Sequence, residues 1–256
     1  MNLIKHSLPI VTSKENRTIR VLLPDDFDPE NKTYQLLMMH DGQNLFEDET
    51  AYGGHSWGIY ETLKALQKND IIVVGIDNSE LRFFEYAPWE SSEETTKLVG
   101  FKTGGLGDVY ASFIHDQVLP FIISSYPIDQ NKPIMIGGSS MGAYISVYIA
   151  LKYPLVFKIV GVFSLASWFN ETPFISYVKE SNIKEDTRFF ISIGKHESSS
   201  SLKKDFNEIY LNNSRNLKTL LEKKQVQDIF YIETEDMHNE LAWRKVFKDF
   251  IQWATS

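Results

Sequence analysis

Residues 132–154 read KPIMIGGSSMGAYISVYIALKYP and place two adjacent serines between two apolar runs. The first run is short and apolar, as in a buried strand. The second is hydrophobic nearly all round and stops before Pro154, which is typical of a buried helix. The stretch therefore predicts a strand, a tight turn flanked by glycines, and a helix.

Only one of the two serines has glycines at the spacing that a nucleophile on such a turn needs. The residues two positions before and after it must be small, because larger side chains would collide where the backbone folds back. Ser140 has Gly138 and Gly142 at these positions. Ser139 has Met141 two positions after it, so Ser140 is the predicted nucleophile.

Two other interpretations of the turn are weaker. A structural Gly-Ser turn needs no particular chemistry, but an apolar strand before it and a buried helix after it are the context in which a nucleophile works. A phosphate-binding loop would need G-K-[ST] or G-x-G-x-x-G, and GGSSMG matches neither pattern.

Short apolar runs alternate with helical patterns along the whole chain. The runs that predict strands are TIRVLLP (18–24), YQLLMMHDG (34–42), IIVVGIDN (71–78), KPIMIGG (132–138), IVGVFSLA (159–166), TRFFISIG (187–194) and DIFYIET (228–234). Strands with few charges, separated by helices, indicate an α/β fold with a mainly parallel sheet covered on both faces. Ligands of such sheets bind at the carboxyl ends of the strands.

Composition and charge narrow the class of protein. The chain has 256 residues, 43% of them hydrophobic, which is ordinary for a globular protein with a sizeable core. We interpret residues 1–256 as one domain, because the serine-rich run at 194–204 is too short to separate two. The net charge of −8 argues against nucleic-acid binding, which needs clustered Lys and Arg.

The expected location follows from three features. The chain has no cysteine, which excludes disulfides and thiolate metal sites and fits a reducing cytosol. The start, MNLIKHSLPIVTSKENR, lacks the apolar core of a secretory signal. The most apolar stretch, LVFKIVGVFSLASWF, is interrupted by Lys158 and is shorter than the roughly 18 residues of a membrane span. We therefore expect a cytoplasmic protein without a membrane partner; the sequence does not indicate an oligomeric state.

A serine nucleophile on such a turn works with a histidine as general base and a carboxylic acid that orients the histidine. On this kind of fold their order in the chain is serine, acid, histidine. Of the six histidines, only His196 and His238 follow Ser140. His238 lies in ETEDMHNELAW, between the last predicted strand and the last predicted helix, at the carboxyl edge of the sheet. His196 has no later strand-end loop that would supply its acid, so His238 is the predicted base.

The acid is expected to follow a strand that lies between the serine and the histidine. The run FFISIG ends at Gly194, and Glu197 comes three positions later. Other carboxylates lie in polar helical stretches (Asp205, Glu208, Glu222) or crowd the histidine's own loop (Glu233, Glu235, Asp236). Glu197 is the predicted acid, and the three carboxylates of the histidine's loop are the alternatives.

Attack of a serine on a carbonyl carbon gives a tetrahedral intermediate with a negatively charged oxygen. That oxygen needs two preorganised N–H donors. The backbone N–H of Met141, directly after the nucleophile, is predicted to be the first. The second is expected in the loop after an early strand, and MMHDGQNLF (38–46) fits this place.

Five motifs together resemble one known family. They are HDGQNLF (40–46), VVGIDNSELRFFEYAPW (73–89), GGSSMGA (137–143), SIGKHE (192–197) and MHNELAWRKVF (237–247). The chain resembles, from about Arg17 to Trp253, the putative esterase family within the α/β-hydrolases. That family includes D-type, feruloyl and acetylxylan esterases and enterobactin-type trilactone esterases. The resemblance implies an α/β-hydrolase fold and a serine hydrolase that uses neither cofactor nor metal.

The resemblance also implies roles for individual residues. It places Ser140 as nucleophile and His238 as base, and it supports Glu197 as the acid. It suggests Gln43 as the second backbone donor of the oxyanion hole.

The same resemblance implies a substrate pocket. Arg82, Glu85 and Tyr86 should lie near the acyl or alcohol pocket, and Trp168 should line it. The alternative is that Arg82 and Glu85 pair with each other as a structural brace under their loop.

Two classes of function are compatible with these residues. The first is hydrolysis of a small-molecule carboxylic ester through an acyl-enzyme, on a small acyl ester, an acetylated sugar or a siderophore lactone. Acyl transfer to another alcohol would use the same triad. The second class is a catalytically silent binding protein on a hydrolase fold. A metallohydrolase is disfavoured, because His40-Asp41 and His238-x-Glu240 lack the spacing of a zinc motif.

Overall fold

The predicted strands assemble into one sheet. The computed structural model describes residues 1–198 and 205–256, so the part of the serine-rich run at 199–204 lies outside the described residues. The strands are β1 (Asn2–Leu8), β2 (Arg17–Leu23), β3 (Gln35–His40), β4 (Ile71–Ile76), β5 (Ile134–Ser139), β6 (Phe157–Phe163), β7 (Arg188–His196) and β8 (Asp228–Met237). Their order across the sheet is β1-β2-β4-β3-β5-β6-β7-β8.

The sheet is parallel except at one edge. Strands β3 to β8 run parallel, and β2 is antiparallel to both of its neighbours, β1 and β4. The mainly parallel sheet predicted from the sequence is confirmed. The sequence patterns do not reveal β1, whose residues are all exposed or half-buried at the edge of the sheet.

Helices cover both faces of the sheet. They are α1 (Ile59–Ala65), α2 (Arg82–Glu85), α3 (Glu93–Val99), α4 (Gly107–Phe113), α5 (Leu119–Ser125), α6 (Met141–Lys152), α7 (Glu171–Glu180), α8 (Phe206–Lys223) and α9 (Glu240–Ala254). Two apolar clusters fill the two faces: residues of α4 to α8 pack on one face, and residues of α1 and α9 pack on the other. Within the described part of the chain, no helix is long and apolar enough to cross a membrane.

Helix α6 lies on the centre of the sheet. Every residue from 141 to 151 is buried, as its uniformly apolar sequence predicts. It packs against β5 and β6. Because β5 ends where α6 begins, the start of this helix lies at the carboxyl edge of the sheet, where parallel α/β folds bind their ligands.

Candidate active site

Ser140 is the single residue between β5 and α6, and its backbone is in a conformation that residues with side chains rarely adopt. Its φ is 58° and its ψ is −122°. Such a conformation costs about 1–3 kcal/mol and persists only where the surrounding structure enforces it. The N–H of Ser140 donates to the carbonyl of Phe163 (2.9 Å), and its own carbonyl accepts from the N–H of Ala166 (3.3 Å). These bonds fix the turn against the neighbouring strand β6.

The glycine two positions before the turn is required by close backbone contact. A Cβ atom on Gly138 would lie 2.9 Å from the carbonyl carbon of Gly142, closer than any side chain tolerates. Ser139, by contrast, is the last residue of β5 and is buried in the sheet. The half-buried Ser140 is thus the serine at the turn, as the glycine spacing indicates.

Glu197 and His238 meet from two neighbouring strand ends. Nδ1 of His238 and Oε2 of Glu197 form a hydrogen bond. Oε1 of Glu197 accepts from the N–H of Gly194 (2.9 Å) and from the hydroxyl of Ser164. A carboxylate oxygen accepts, so this bond calls for a proton on Nδ1 of the imidazole, and in the neutral imidazole Nε2 is then the acceptor. This is the tautomer that a general base acting on serine requires.

Gly194 allows the loop after β7 to close on β8. A Cβ atom there would lie 2.3 Å from the carbonyl oxygen of Asp236 and 3.1 Å from Oε1 of Glu197. The pairing of β7 with β8 also shifts register between Gly194 and His196. The carboxylate of Glu197 is buried at 1% exposure, whereas the side chain of His196 is 62% exposed.

The three carboxylates that the sequence places in the histidine's loop lie on β8 in the structure, and each has a cationic partner of its own. The pairs are Glu233 with Arg215, Glu235 with Lys195, and Asp236 with Lys245. Arg215 is the largest influence on Glu233 and, with the Tyr231 hydroxyl, lowers its pKa to about 2. The carboxylate bonded to His238 is that of Glu197.

Two aromatic rings hold the imidazole of His238. The ring centroid of Tyr210, on α8, lies 4.7 Å away, and that of Trp243, on α9, lies 5.1 Å away at a near-perpendicular angle. Nε1 of Trp243 donates to the hydroxyl oxygen of Ser164 (2.8 Å), and that hydroxyl donates to Glu197. The sequence analysis missed Ser164; its position directly after an apolar strand was the available signal.

A cavity of about 370 Å³ opens beside the nucleophile. The residues that line it are Arg82, Phe83, Leu98, Val99, Ser140, Met141, Trp168, Phe169, Phe206 and Tyr210. Tyr210 lines this cavity, and its ring also contacts the imidazole of His238. The lining is mainly apolar and aromatic and contains one cation, Arg82.

Of the four residues expected at a substrate pocket, Arg82 and Trp168 line this cavity. The guanidinium of Arg82 donates through Nε and Nη2 to the two oxygens of Asp41, at 2.7 and 2.8 Å. Tyr86 is fully buried under it, with its ring centre 5.0 Å from the guanidinium carbon. The hydroxyl of Tyr86 accepts from the N–H of Asp41 (3.1 Å). Tyr86 therefore supports the Arg82–Asp41 pair from below.

Glu85, the fourth of these residues, is buried away from the cavity. Both of its oxygens accept from Nη2 of Arg17, at 3.0 and 2.9 Å, and both side chains are almost completely inaccessible. The alternative that Arg82 and Glu85 pair with each other is wrong, because each has another partner. Arg17 ties Glu85 to β2, and Asp41 ties Arg82 to the turn after β3.

That turn (Gly42–Asn44) contains the backbone group expected to donate to an oxyanion. Asp41, just before it, has a left-handed φ of 56°. Asn78 fixes the turn twice: its side chain donates to Oδ1 of Asp41 (2.6 Å), and its N–H donates to Oε1 of Gln43 (3.1 Å). Burial alone would raise the pKa of Asp41, but the charge and hydrogen bonds of Arg82, with Asn78, hold it below its ordinary value.

Two backbone N–H groups without an acceptor in their own element lie in turns that contact each other. The first four N–H groups of a helix have no acceptor within it, and the N–H of Met141 is the first of α6. The N–H of Gln43 lies at the start of a short 3₁₀ turn and likewise has no acceptor within that turn. A Cβ atom on Gly142 would lie 3.3 Å from Oδ2 of Asp41, so the two turns are in contact.

His40-Asp41 and His238-x-Glu240, the two pairs considered as metal ligands, have other partners in the structure. The described residues contain no group of three or more His, Asp or Glu side chains that could hold a metal ion. Burial lowers the pKa of His40 to about 3, so this imidazole is neutral, and its Nδ1 bonds with the hydroxyl of Tyr110 (2.9 Å). His238 bonds with Glu197 instead of Glu240.

Comparison with solved structures defines the class of protein as an α/β-hydrolase fold. The BES protein from Bacillus cereus superposes with a TM-score of 0.75 at 17% identity, covering 99% of this chain and 94% of that one. The enterobactin esterase FES from Shigella flexneri superposes with a TM-score of 0.74 at 16% identity, covering 100% of this chain and 59% of that one.

Sequence comparison narrows the class to a family. The uncharacterized protein YbbA of Bacillus subtilis (strain 168) is 25% identical over 244 residues, which cover 93% of this chain and 92% of YbbA. The family model "Putative esterase" matches residues 11–253. The chain belongs to this family, and the assignment supports ester hydrolysis as its reaction.

The buried Arg17–Glu85 pair leads to a prediction about stability. Glu85→Ala should lower the free energy of unfolding by about 3–5 kcal/mol, because it leaves the charge of Arg17 buried without a paired carboxylate. The double variant Arg17→Met/Glu85→Leu removes both charges and should lose clearly less. Chemical denaturation measures both values; equal losses, or a loss below about 1 kcal/mol for Glu85→Ala, would contradict this role.

Proposed function

We propose that the protein hydrolyses carboxylic esters through an acyl-enzyme formed on Ser140. The observation that carries this proposal is the left-handed backbone of Ser140 at the junction of β5 and α6. It aims a small nucleophilic side chain at the carboxyl edge of the sheet, and a strained conformation of this kind is characteristic of functional sites. Membership of the esterase family supports the same reaction.

In the first half of the reaction, Oγ of Ser140 forms a bond to the ester carbonyl carbon while its proton passes to Nε2 of His238. Glu197 holds the imidazole in the required tautomer and stabilises the imidazolium without taking the proton itself. The hydrogen bond between Glu197 and Nδ1 of His238 supports this assignment of the acid.

The tetrahedral intermediate carries a negative charge on the former carbonyl oxygen. The backbone N–H groups of Met141 and Gln43 would donate to it, and the helix dipole of α6 adds to the stabilisation. Contact between the two turns that contain these donors supports the pairing.

Collapse of the intermediate breaks the bond to the alcohol, and His238 returns its proton to the departing oxygen. Water then attacks the acyl-enzyme with His238 again as base, which releases the acid and regenerates Ser140. Each step uses side chains of this chain and water, so the mechanism requires no cofactor or metal.

We assign the cavity beside Ser140 to the acyl side of the substrate. Its aromatic residues favour an apolar or aromatic acyl group in a space of about 370 Å³. Arg82 adds one cationic group at the wall. Among the substrates considered from the sequence, a siderophore-type lactone is also supported by similarity to an enterobactin esterase. Small acyl esters remain suitable for assays.

The two competing functions differ in their products. An acyltransferase would pass the acyl group from Ser140 to an added alcohol in preference to water, and product analysis separates the two reactions. A silent binding protein would bind esters without releasing either product. The buried and fully bonded Glu197 favours catalysis, because a binding pocket does not need a carboxylate held against an imidazole.

The nucleophile can be tested with a fluorophosphonate probe, which reacts only with activated serines. The wild-type protein should take up one adduct, mapped by peptide mass to Ser140. His238→Ala should slow labelling by at least about 10²-fold, because the serine loses its base. Ser139→Ala is the matched control and should label like the wild type. A mapped adduct on Ser139, or no adduct on the wild type, would refute the proposal.

The acid assignment leads to a second kinetic test. Glu197→Gln should lower kcat for p-nitrophenyl acetate by about 10²–10⁴-fold, because the amide no longer enforces the reactive tautomer of His238. Glu235→Gln removes a carboxylate of β8 near His238 and should leave kcat within about twofold, since Glu235 is an exposed surface group. A large loss in Glu235→Gln with little change in Glu197→Gln would transfer the role of the acid to Glu235.

A further inference from the structure

Asn44 and Glu240 connect the oxyanion turn to the start of α9. Asn44 is the last residue of the turn Gly42–Asn44 and is 9% exposed. Its Nδ2 donates to Oε1 of Glu240 (3.3 Å), and its Oδ1 accepts from the N–H of Tyr52 (3.0 Å). The two residues are 196 positions apart in the chain, so this contact exists only in the folded protein.

The orientation of the Asn44 amide is determined by its partners. A backbone N–H can only donate, so the amide oxygen of Asn44 must face Tyr52. Its NH₂ group must then face Glu240, whose carboxylate can accept. The contact therefore needs a donor at position 44 and an acceptor at position 240.

Glu240 is placed among the charged groups of the active site. It is the first residue of α9, two positions after His238. Burial has the largest effect on its pKa and raises it, and the negative charge of Asp41 adds to the rise. The charge of Arg82 and, when its imidazole is protonated, that of His238 act in the opposite direction. A Cβ atom on Gly53 would lie 3.1 Å from Oε2 of Glu240, so the carboxylate is covered by the loop after the turn.

The first two turns of α9 also contact the residues around the acid, Glu197. Trp243 donates to Ser164, which donates to Glu197. Arg244 donates through Nε to the carbonyl of Ser56 (2.9 Å), in the loop that follows the oxyanion turn. One end of one helix thus contacts both the acid side and the oxyanion side of the site.

We propose that Glu240 is a positioning residue that acts through Asn44. It holds the turn that contains the N–H of Gln43 at a fixed position relative to His238 at the end of β8. Glu240 does not touch the reacting atoms. This inference rests on the proposed function, because it assigns a purpose to the position of an oxyanion donor.

The role predicts a particular kinetic signature. The oxyanion forms only after the substrate has bound, so a displaced donor weakens the transition state more than the bound substrate. Variants that break the contact should lower kcat and leave KM nearly unchanged. A residue that served only stability would lower the melting temperature without this split.

The test is a donor–acceptor exchange between positions 44 and 240, assayed with p-nitrophenyl acetate. Asn44→Asp sets two carboxylates against each other and should lower kcat by about 10–100-fold, as expected for a displaced catalytic group. Glu240→Ala removes the acceptor and should cost about tenfold. Glu240→Gln keeps an acceptor oxygen and should stay within about threefold of the wild type. In the double variant Asn44→Asp/Glu240→Gln, the glutamine amide can donate to the new carboxylate, so kcat should recover to within about fivefold of the wild type.

Two results would overturn the positioning role. One is a kcat for Glu240→Ala and Asn44→Asp that stays within about twofold of the wild type; the other is a double variant no faster than Asn44→Asp alone. The rate of fluorophosphonate labelling at Ser140 is measured in parallel for every variant. A wild type that neither labels nor turns over fails the proposed function itself. If the wild type labels and turns over and the variants at positions 44 and 240 behave like it, only the role of Glu240 is contradicted.

Discussion

The positive φ of Ser140 is the constraint on which the rest of the site depends. It turns the chain from β5 into α6 within one residue, and the strand and the helix can touch there because Gly138 has no Cβ to meet the backbone of Gly142. The conformation costs about 1–3 kcal/mol. Burial of one large apolar side chain contributes about 1.5–3 kcal/mol, and α6 buries several of them. The packing of α6 at the centre of the sheet is therefore more than sufficient to enforce the turn.

Glu197 is the second point at which distant parts of the chain meet. Its carboxylate joins β6 through Ser164, β7 through Gly194 and β8 through His238. A buried carboxylate is costly unless its oxygens are satisfied, and these three donors satisfy both of them. The same bonds fix the direction of the imidazole, so the stability of the buried acid and the orientation of the base have one structural cause.

The sequence predicts those parts of the structure that depend on local pattern. Short apolar runs reveal seven of the eight strands in the described residues. They do not reveal β1, because an edge strand needs few apolar residues. Glycine spacing alone separates Ser140 from Ser139. Strand-end position places His238, and it favours Glu197 over the carboxylates that the structure pairs with lysine or arginine.

The parts that the sequence does not predict are contacts between residues far apart in the chain. Glu85 pairs with Arg17, 68 positions away, and no local pattern distinguishes this pair from one with Arg82. In the sequence, Ser164 is one polar residue after a strand. Its hydrogen bonds with Trp243 and Glu197 appear only in the folded protein. The short helices α2 and α3 have too few turns to show a period in the sequence.

If Ser140 is the nucleophile, ester turnover must pass through an acyl group bound to its oxygen. The most direct measurement is rapid mixing of the protein with p-nitrophenyl acetate, an acid quench within the first turnover, and peptide mapping of the acetylated residue. We expect a burst of about one equivalent of p-nitrophenol and an acetyl group on Ser140. Acetyl on Ser139 or on another residue, or steady turnover without a covalent intermediate, would contradict this mechanism.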